Sequence, residues 1–354
     1  MNGPKRTNRR AVLKAVTATA VGGSIVTGTA SLTQDDTTQK AGGRSNVVKV
    51  IAGHGHEEGE HEFTLSTDEI PSGWTTFELE NTTDHAHFAY LSKVPQAAID
   101  EADSQGRELL DYWVEHITRP FQWLMDTMDN GKKPDPDDRF SDEMLFPAWF
   151  GDVLPSGGVG LTAGHRTSAT TVNLDPGEYI IECYVKNADN DFHSYLGMIE
   201  SLTVTDASGG AEPESTVDLS LSTDGIDAPE TLEPGQQTVA VEFADQQVYD
   251  HDLGHDLNLI RFDEDTTVED VNTWMNWQDP VQLVSDGTEP GTFLGGADAV
   301  LTPELLAGEA TETAYVHVDL IPGDYAWVSE VPDPNGTGLL REFSVPFGTA
   351  SGDG

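Results

Sequence analysis

The residues best suited to chemistry are a cysteine, a histidine and a methionine in the middle of the chain. Cys183 is followed ten residues later by His193 and, five residues beyond that, by Met198. A copper ion that cycles between Cu(I) and Cu(II) with little rearrangement is suited by a soft thiolate, two imidazoles and a weak thioether. Cys183 is the single cysteine of the sequence, so it cannot form an internal disulfide. It is therefore a free thiol, an intermolecular bridge or a metal thiolate.

These side chains need a framework that brings them together. Residues 179–185 and 199–204 are rich in β-branched and apolar residues, which predicts two strands with Cys183 near the end of one and Met198 just before the other. A loop holding His193 joins them. The segment 81–90, between two further β segments, supplies a second imidazole from His87 or, less favourably, from His85.

The surrounding sequence has the texture of a β-domain with one interruption. Residues 70–74, Ile-Pro-Ser-Gly-Trp, are predicted to be a turn. Between Val94 and Phe150 the apolar residues recur near helical spacing, which predicts a helical insertion. Strands are predicted at 47–51, 62–66, 75–81, 170–174, 179–185 and 199–204.

The second half of the chain repeats the first. Several separate matches in the same order favour duplication over coincidence. They pair residues 174–179 with 320–325, Gly157-Gly158 with Gly295-Gly296, His87 with His255, and Gly197-Met198 with Gly338-Leu339. The second copy has Ser329 where Cys183 is expected and Leu339 where Met198 is expected, so it is not expected to hold the same metal site.

The expected architecture is all-β, with two tandem Greek-key β-sandwiches, the first carrying the helical insertion. The predicted segments are a signal at 1–30, a disordered tether at 31–46, a first domain at 47–205 with the insertion at about 95–150, a linker at 206–215, a second domain at 216–346 and a tail at 347–354.

With these features, the sequence resembles the cupredoxins, the blue copper proteins that include plastocyanin and the halocyanins. The resemblance covers residues 47–205 without the insertion and, more faintly, 216–346. It is carried by Asn81 six residues before His87, by the Pro-Gly-x-Tyr turn at 176–179, and by His193-x₄-Met198. The resemblance implies a single type 1 copper ion with His87 and His193 as imidazole ligands, Cys183 as thiolate and Met198 as axial thioether.

The sequence also departs from the small blue copper proteins. His193 stands ten positions after Cys183, so the loop between them is longer and nearer to that of the two-domain copper nitrite reductases. The insertion is an addition that covers the copper pole or docks a partner. The resemblance further implies that electrons are exchanged through His193, the ligand nearest the surface in cupredoxins. Asp189 and Asp191 beside it are expected to disfavour anionic partners.

Other histidines offer further metal sites. His54, His56 and His61 stand with three glutamates in one loop, which is either a second site for copper or zinc or a solvated acidic loop. His251 and His255 flank a short segment that is expected to be a turn with surface imidazoles.

The charge balance bears on environment and partners. The chain has 62 Asp and Glu against 18 Lys and Arg, a formal net charge of −44 spread along its length. This argues against nucleic acid as a partner and favours a halophile, an archaeon, because dispersed carboxylates stay hydrated in concentrated salt. The alternative is an ordinary acidic secreted protein.

The N-terminus breaks the acidic pattern. Residues 1–30 hold five basic residues and no acid, and Arg9-Arg10-Ala11-Val12-Leu13-Lys14 resembles the twin-arginine export signal. Removal of the segment would change the charge to −49, which is −44 − 5. An uncleaved anchor is the alternative. We expect an extracellular or cell-surface protein, soluble after cleavage, near a membrane electron-transfer chain whose redox partner the sequence does not name.

Three functions follow from these patterns. The first is a single-electron carrier with one mononuclear copper. The second is a metal-free binding or structural module that keeps the sandwich. The third is a copper oxidase or nitrite-reductase-like enzyme, in which a His usually adjoins the Cys, whereas here the neighbours are Glu182 and Tyr184.

Overall fold

The computed structural model of the chain describes residues 46–55, 61–129, 146–248, 254–276, 282–331 and 339–347. The predicted signal segment, the tether before Asn46 and the tail after Phe347 lie outside these residues, as do His56 and His251.

The described residues of the first half contain eight strands. They are β1 (Asn46–His54), β2 (His61–Leu65), β3 (Glu69–Asn81), β4 (His87–Lys93), β5 (Leu154–Thr162), β6 (Thr167–Leu174), β7 (Gly177–Glu182) and β8 (Ile199–Gly209). One layer is built from β1, β2, β3 and β6, and the other from β4, β5, β7 and β8. Fully buried side chains such as Phe77, Leu91 and Ile181 belong to the core cluster that these strands enclose.

Residues 70–74 are strand, so the predicted turn is wrong. They belong to β3, which pairs with β8 through Glu69–Gly73 and with β6 from Gly73 onward. The register with β8 shifts between Pro71 and Ser72, and Gly73 has a φ of +108°, which lets the strand bend without ending. Pro and Gly mark a change of partner here and not the end of the strand.

The helical insertion is confirmed. It comprises α1 (Gln96–Ser104), α2 (Leu109–Trp113), a π-helical turn (Val114–Thr118), α3 (Arg119–Asp129) and a 3₁₀ turn (Ala148–Asp152). Its apolar side chains, among them Tyr112, Trp113 and Trp149, form a second buried cluster with Ile180 of β7 and Ile199 of β8. The insertion therefore covers the outer face of the two strands that flank the Cys-to-Met loop.

The described residues of the second half also contain eight strands. They are β9 (Val217–Ser222), β10 (Gly225–Asp227), β11 (Gly235–Phe243), β12 (Leu257–Phe262), β13 (Gly291–Ala297), β14 (Glu312–Leu320), β15 (Gly323–Val328) and β16 (Leu340–Val345), with helices α4 (Val268–Trp274) and α5 (Pro303–Leu306) between them.

Strand register supports the internal duplication. In the first half Tyr90 pairs with both Gly158 and Glu182, and in the second half Asn258 pairs with both Gly296 and Val328. This equivalence aligns His255 with His87 and Ser329 with Cys183. The backbone N–H of Cys183 donates to the carbonyl of Met198 at 3.1 Å, and that of Ser329 donates to the carbonyl of Leu339 at 3.0 Å.

The same glycine is needed in each copy. A Cβ on Gly158 would lie 2.1 Å from the carbonyl oxygen of Ala89, and a Cβ on Gly296 would lie 2.1 Å from that of Leu257. Real Cβ atoms do not approach a backbone oxygen so closely, and both glycines have positive φ, +140° and +157°. The Gly-Gly pair in each half thus marks a place where two strands approach each other closely.

The two halves join through their strands. Thr171 of β6 pairs with Tyr315 of β14, and Val159 of β5 pairs with Ala297 of β13. The predicted class, all-β with a sandwich in each half and a helical insertion in the first, is confirmed. Every helix in the described ranges is too short or too polar to span a lipid bilayer.

Candidate metal centre

Three strand ends place the predicted ligands at one end of the first sandwich. His87 is the first residue of β4, Cys183 directly follows β7, and Met198 directly precedes β8. Because β7 pairs with both β4 and β8, these ends are neighbours in space: Tyr90 lies opposite Glu182, which lies opposite Ile199.

The loop from Cys183 to Met198 is held by its own backbone. The N–H of Ser194 donates to the carbonyl of Cys183 at 2.7 Å, that of His193 to Val185 at 2.9 Å, and that of Met198 to His193 at 2.9 Å. These bonds return the long loop to the strand ends and direct His193 inward. Its length therefore does not remove His193 from the site.

The donor atoms of three predicted ligands converge. Nδ1 of His87 lies 2.9 Å from Nδ1 of His193, and Sγ of Cys183 lies 3.8 Å and 3.6 Å from these two nitrogens. Metal bonds of about 2.0–2.1 Å to nitrogen and about 2.3 Å to sulfur span all three separations. One ion can therefore contact all three atoms. Met198 has a fully buried side chain in the same core cluster as Cys183.

A hydrogen-bond chain sets the tautomer of His87. Asn81 donates through Nδ2 to the carbonyls of His85 at 2.6 Å and Thr162 at 2.8 Å, so its Oδ1 faces Thr83. The Thr83 hydroxyl has one proton, for which Oδ1 of Asn81 at 3.0 Å and the carbonyl of His85 at 3.2 Å are acceptors. Its oxygen is then left to accept from Nε2–H of His87 at 2.8 Å.

The result is a lone pair on Nδ1 of His87, directed at His193 and Cys183. Such outer partners orient metal-binding imidazoles and fix which nitrogen is free. Asn81 is recognisable in the sequence by its spacing from His87, whereas the role of Thr83 was not predicted. The sequence signal that could have indicated this role is a hydroxyl side chain four residues before the candidate ligand His87.

Burial sets the protonation states of the cluster. His87, Cys183 and His193 have no exposed surface. Burial, followed by the neighbouring imidazoles, holds the pKa of His87 and of His193 well below the usual 6.5, so both rings are neutral. Burial raises the pKa of the Cys183 thiol to about 12. Without a metal Cys183 is therefore a thiol, and metal binding has to displace its proton.

His193 is fully buried, as are the other three predicted ligands, so exposure does not single it out as the ligand nearest the solvent. Its ring stacks on that of His61, with centroids 4.3 Å apart and planes 20° apart. Gly197, with φ +119°, allows this approach, since a Cβ there would lie 2.6 Å from the carbonyl oxygen of His61. The backbone N–H of His61 donates to the carbonyl of Leu196 at 3.2 Å. The start of β2 thus closes over the loop.

His61 therefore belongs with the predicted cluster. One nitrogen each from His61, His87 and His193 lie within 4.8 Å of one another. Burial, then His54 and His85, lowers the pKa of His61 to about 4. From the sequence, His61 was expected in a separate loop site, because the intervening residues do not indicate that β1 pairs with β2.

Two other candidate histidines among the described residues, His54 and His85, are not part of this three-histidine group. His54 is exposed and lies opposite His61 in the β1–β2 ladder. His85 contributes backbone groups to the bonds around Asn81 and Thr83, and it is His87 whose Nδ1 faces Cys183.

The insertion contacts the ligand loop directly. Gln122 on α3 accepts the backbone N–H of Phe192 at 2.8 Å and donates to Asp191 Oδ1 at 3.1 Å. The sequence left open whether the insertion covers the copper pole or docks a partner. The contacts of Gln122 with the ligand loop support the first of these.

The equivalent end of the second half lacks both sulfur donors, since Ser329 and Leu339 replace Cys183 and Met198. Ser329 donates to Oδ1 of Asp256 at 2.8 Å, in place of a cysteine. His255 is fully buried, with its backbone N–H bonded to Oε1 of Gln246 at 2.8 Å, so the expected surface turn is wrong at this residue. It is buried because it occupies the position equivalent to His87, two residues before β12.

Comparisons with known proteins give weak likenesses to copper proteins. No family model matches the chain, and no curated protein matches it. Among solved structures, auracyanin from Roseiflexus castenholzii is 15% identical with a TM-score of 0.25, covering 38% of this chain and 100% of its own. Auracyanin A, a "blue" copper protein from Chloroflexus aurantiacus, is 18% identical with a TM-score of 0.23, covering 45% and 100%.

Copper nitrite reductase from Nitrosomonas europaea is 10% identical with a TM-score of 0.23, covering 85% of this chain and 94% of its own. Identities and TM-scores this low say nothing about the activity of this chain, which has to be inferred from its own site.

Proposed function

We propose that this chain is an exported single-electron carrier that uses one copper ion held by His87, Cys183, His193 and Met198. The observation that carries the proposal is the convergence of two imidazole nitrogens on one thiol, all within 3.8 Å and fully buried. A copper ion bound there would supply a one-electron couple, and thiolate, imidazole and thioether donors suit both of its oxidation states.

The chain's own residues keep the donors in one geometry. Thr83 orients His87, and the backbone bonds of Ser194, His193 and Met198 hold the loop. Because the donors are buried and bonded, their positions need not change when the charge of the site changes. The burial also excludes water from the donors.

The flanks of Cys183 favour a carrier over an enzyme. The next residue, Tyr184, donates through its hydroxyl to Oε2 of Glu330 at 3.0 Å, so a tyrosine–carboxyl contact stands where an imidazole link to a second copper would be needed. The proposed setting is the outside of a halophilic archaeon, reached by the twin-arginine pathway, with a redox protein as partner and no nucleic acid. The basic start of the chain and its net charge of −44 support this setting.

The test is reconstitution in concentrated salt. Cu(II) is added to metal-free wild-type protein and to Cys183→Ser, and their visible spectra are compared. An intense blue thiolate-to-copper band in wild type that is absent from Cys183→Ser supports the carrier. A colourless wild type at every copper level overturns the proposal and favours the metal-free module, and steady turnover with oxygen or nitrite favours an enzyme.

A further inference from the structure

The proposed copper donors lie beneath the surface of the described residues. His87, Cys183, His193 and Met198 are fully buried, and the rings of His61 and His193 are stacked over one another at the loop. If copper binds there, as proposed above, it has to be taken from solvent by residues nearer the surface. The side chains around His61 are therefore of interest in their own right.

His54 and His61 are a directly opposed pair of imidazoles on antiparallel strands. They are register partners at the end of the β1–β2 ladder, and their ring centroids are 6.0 Å apart. Side chains directly opposite each other on such a ladder have Cβ atoms about 4.5–5.5 Å apart. A nitrogen-bound ion lies about 2 Å from each ring, so one ion can bridge rings at this separation.

His61 has a buried ring nitrogen, Nδ1, without a hydrogen bond among the described residues, and the same holds for Nδ1 of His85. An unpaired buried nitrogen is costly unless something binds it. His54 is exposed, so an ion held between His54 and His61 is reachable from solvent.

His61 is shared between the surface pair and the buried cluster. Its ring is 6.0 Å from that of His54, 4.3 Å from that of His193 and 5.7 Å from that of His87. An ion can therefore change partners one at a time while remaining bound to His61.

We propose that His54 and His61 form a second metal site, which captures a copper ion at the surface and passes it to the buried donors. This transfer rests on the proposed function, whereas the capture site does not. In the transfer, His193 and His87 would replace His54 as the nitrogen ligands beside His61. Cys183 then binds as thiolate and releases its proton to solvent. The oxidation state of the ion is unchanged.

The capture site is tested by counting ions. Metal-free wild type, His54→Asn and His165→Asn are titrated with Cu(II) in concentrated salt, and bound copper is measured by equilibrium dialysis. His165 is the matched control, an exposed histidine 2.8 Å from Asp84, and Asn tolerates its φ of 58°. Wild type and His165→Asn should bind one more ion than His54→Asn, with nitrogen coupling in the electron paramagnetic resonance spectrum. Equal stoichiometries overturn the site.

The transfer is tested by the rate of loading. One equivalent of Cu(II) is mixed with each metal-free protein and growth of the blue band is followed by stopped flow. His54→Asn should load more slowly by about tenfold or more, since loss of a partner commonly costs 10–100-fold in metal binding, and reach the same final spectrum. Equal rates overturn the transfer. A blue band in none of the proteins overturns the electron carrier, while the ion count still decides the capture site.

Discussion

Glu182, which ends β7 beside Cys183, should make the protein less stable as the pH rises. Burial raises the pKa of its carboxyl from the usual 4.5 to about 7, against a hydrogen bond from Ser194 that lowers it. The folded protein therefore holds a proton that the unfolded chain releases between these two values. The stability contributed by that proton is complete below pH 4.5 and is lost as the pH rises through 7.

The size of the effect follows from the pKa difference. One pKa unit corresponds to about 1.4 kcal/mol, so the carboxyl of Glu182 should cost about 3 kcal/mol of folding free energy at pH 8 and about 1 kcal/mol or less at pH 5. Glu182→Gln keeps the shape and is neutral at every pH. Its stability relative to wild type should therefore rise by about 2 kcal/mol between pH 5 and pH 8.

The assay is urea unfolding of metal-free protein at one fixed high salt concentration and at four pH values from 5 to 8. Glu80→Gln on β3 is the matched control, since it removes the same charge from an exposed position. It shows what the loss of one surface charge does to stability at each pH. Subtracting the unfolding free energy of wild type from that of Glu182→Gln cancels the contributions of the other titrating groups, which the two proteins share. A difference that is constant with pH, or that falls as the pH rises, would refute the reasoning.

Two further predictions concern the frame of the site and of the fold. Thr83→Val removes the acceptor of His87 Nε2–H and should weaken copper binding about 10–100-fold, as measured by competition with a chelator. The control is Thr82→Val, which removes a hydroxyl that bonds the carbonyl of Ala52 and should leave copper affinity unchanged. Equal losses of affinity in both variants would contradict the role of Thr83. Gly158→Ala should lower the free energy of unfolding by at least about 3 kcal/mol, because backbone strain and a clash with the neighbouring strand add together. Gly106→Ala, at a position with positive φ but open space around it, should lower it by about 1–2 kcal/mol. Similar losses in the two variants would contradict the close approach of β4 and β5.

Local patterns were sufficient for the β class, the insertion and the duplication. Period-two alternation and helical spacing depend on neighbouring residues, so they are readable along the chain. The turn predicted at residues 70–74 failed because Pro71 and Gly73 mark a bend equally well inside a strand that changes partner. Which of these occurs is decided by the strands on either side.

Which polar groups are buried was harder to predict from the sequence. Asp298 and Glu330 are buried at the boundary of the two halves, where burial raises the pKa of each well above its usual value. In an acidic chain these residues look like many exposed ones, and their burial follows from the joining of β5 with β13.

At the candidate centre, the sequence by itself determined the donor set. A single cysteine, with His193 and Met198 at fixed spacing and His87 at the start of a strand, limits the choices of soft ligand. The tertiary structure alone decided three things: that His61 closes over His193, that Thr83 sets the tautomer of His87, and that His193 is buried. The physical reason is range, since spacing along a chain constrains neighbours, whereas stacking, tautomer and burial depend on segments joined only by folding.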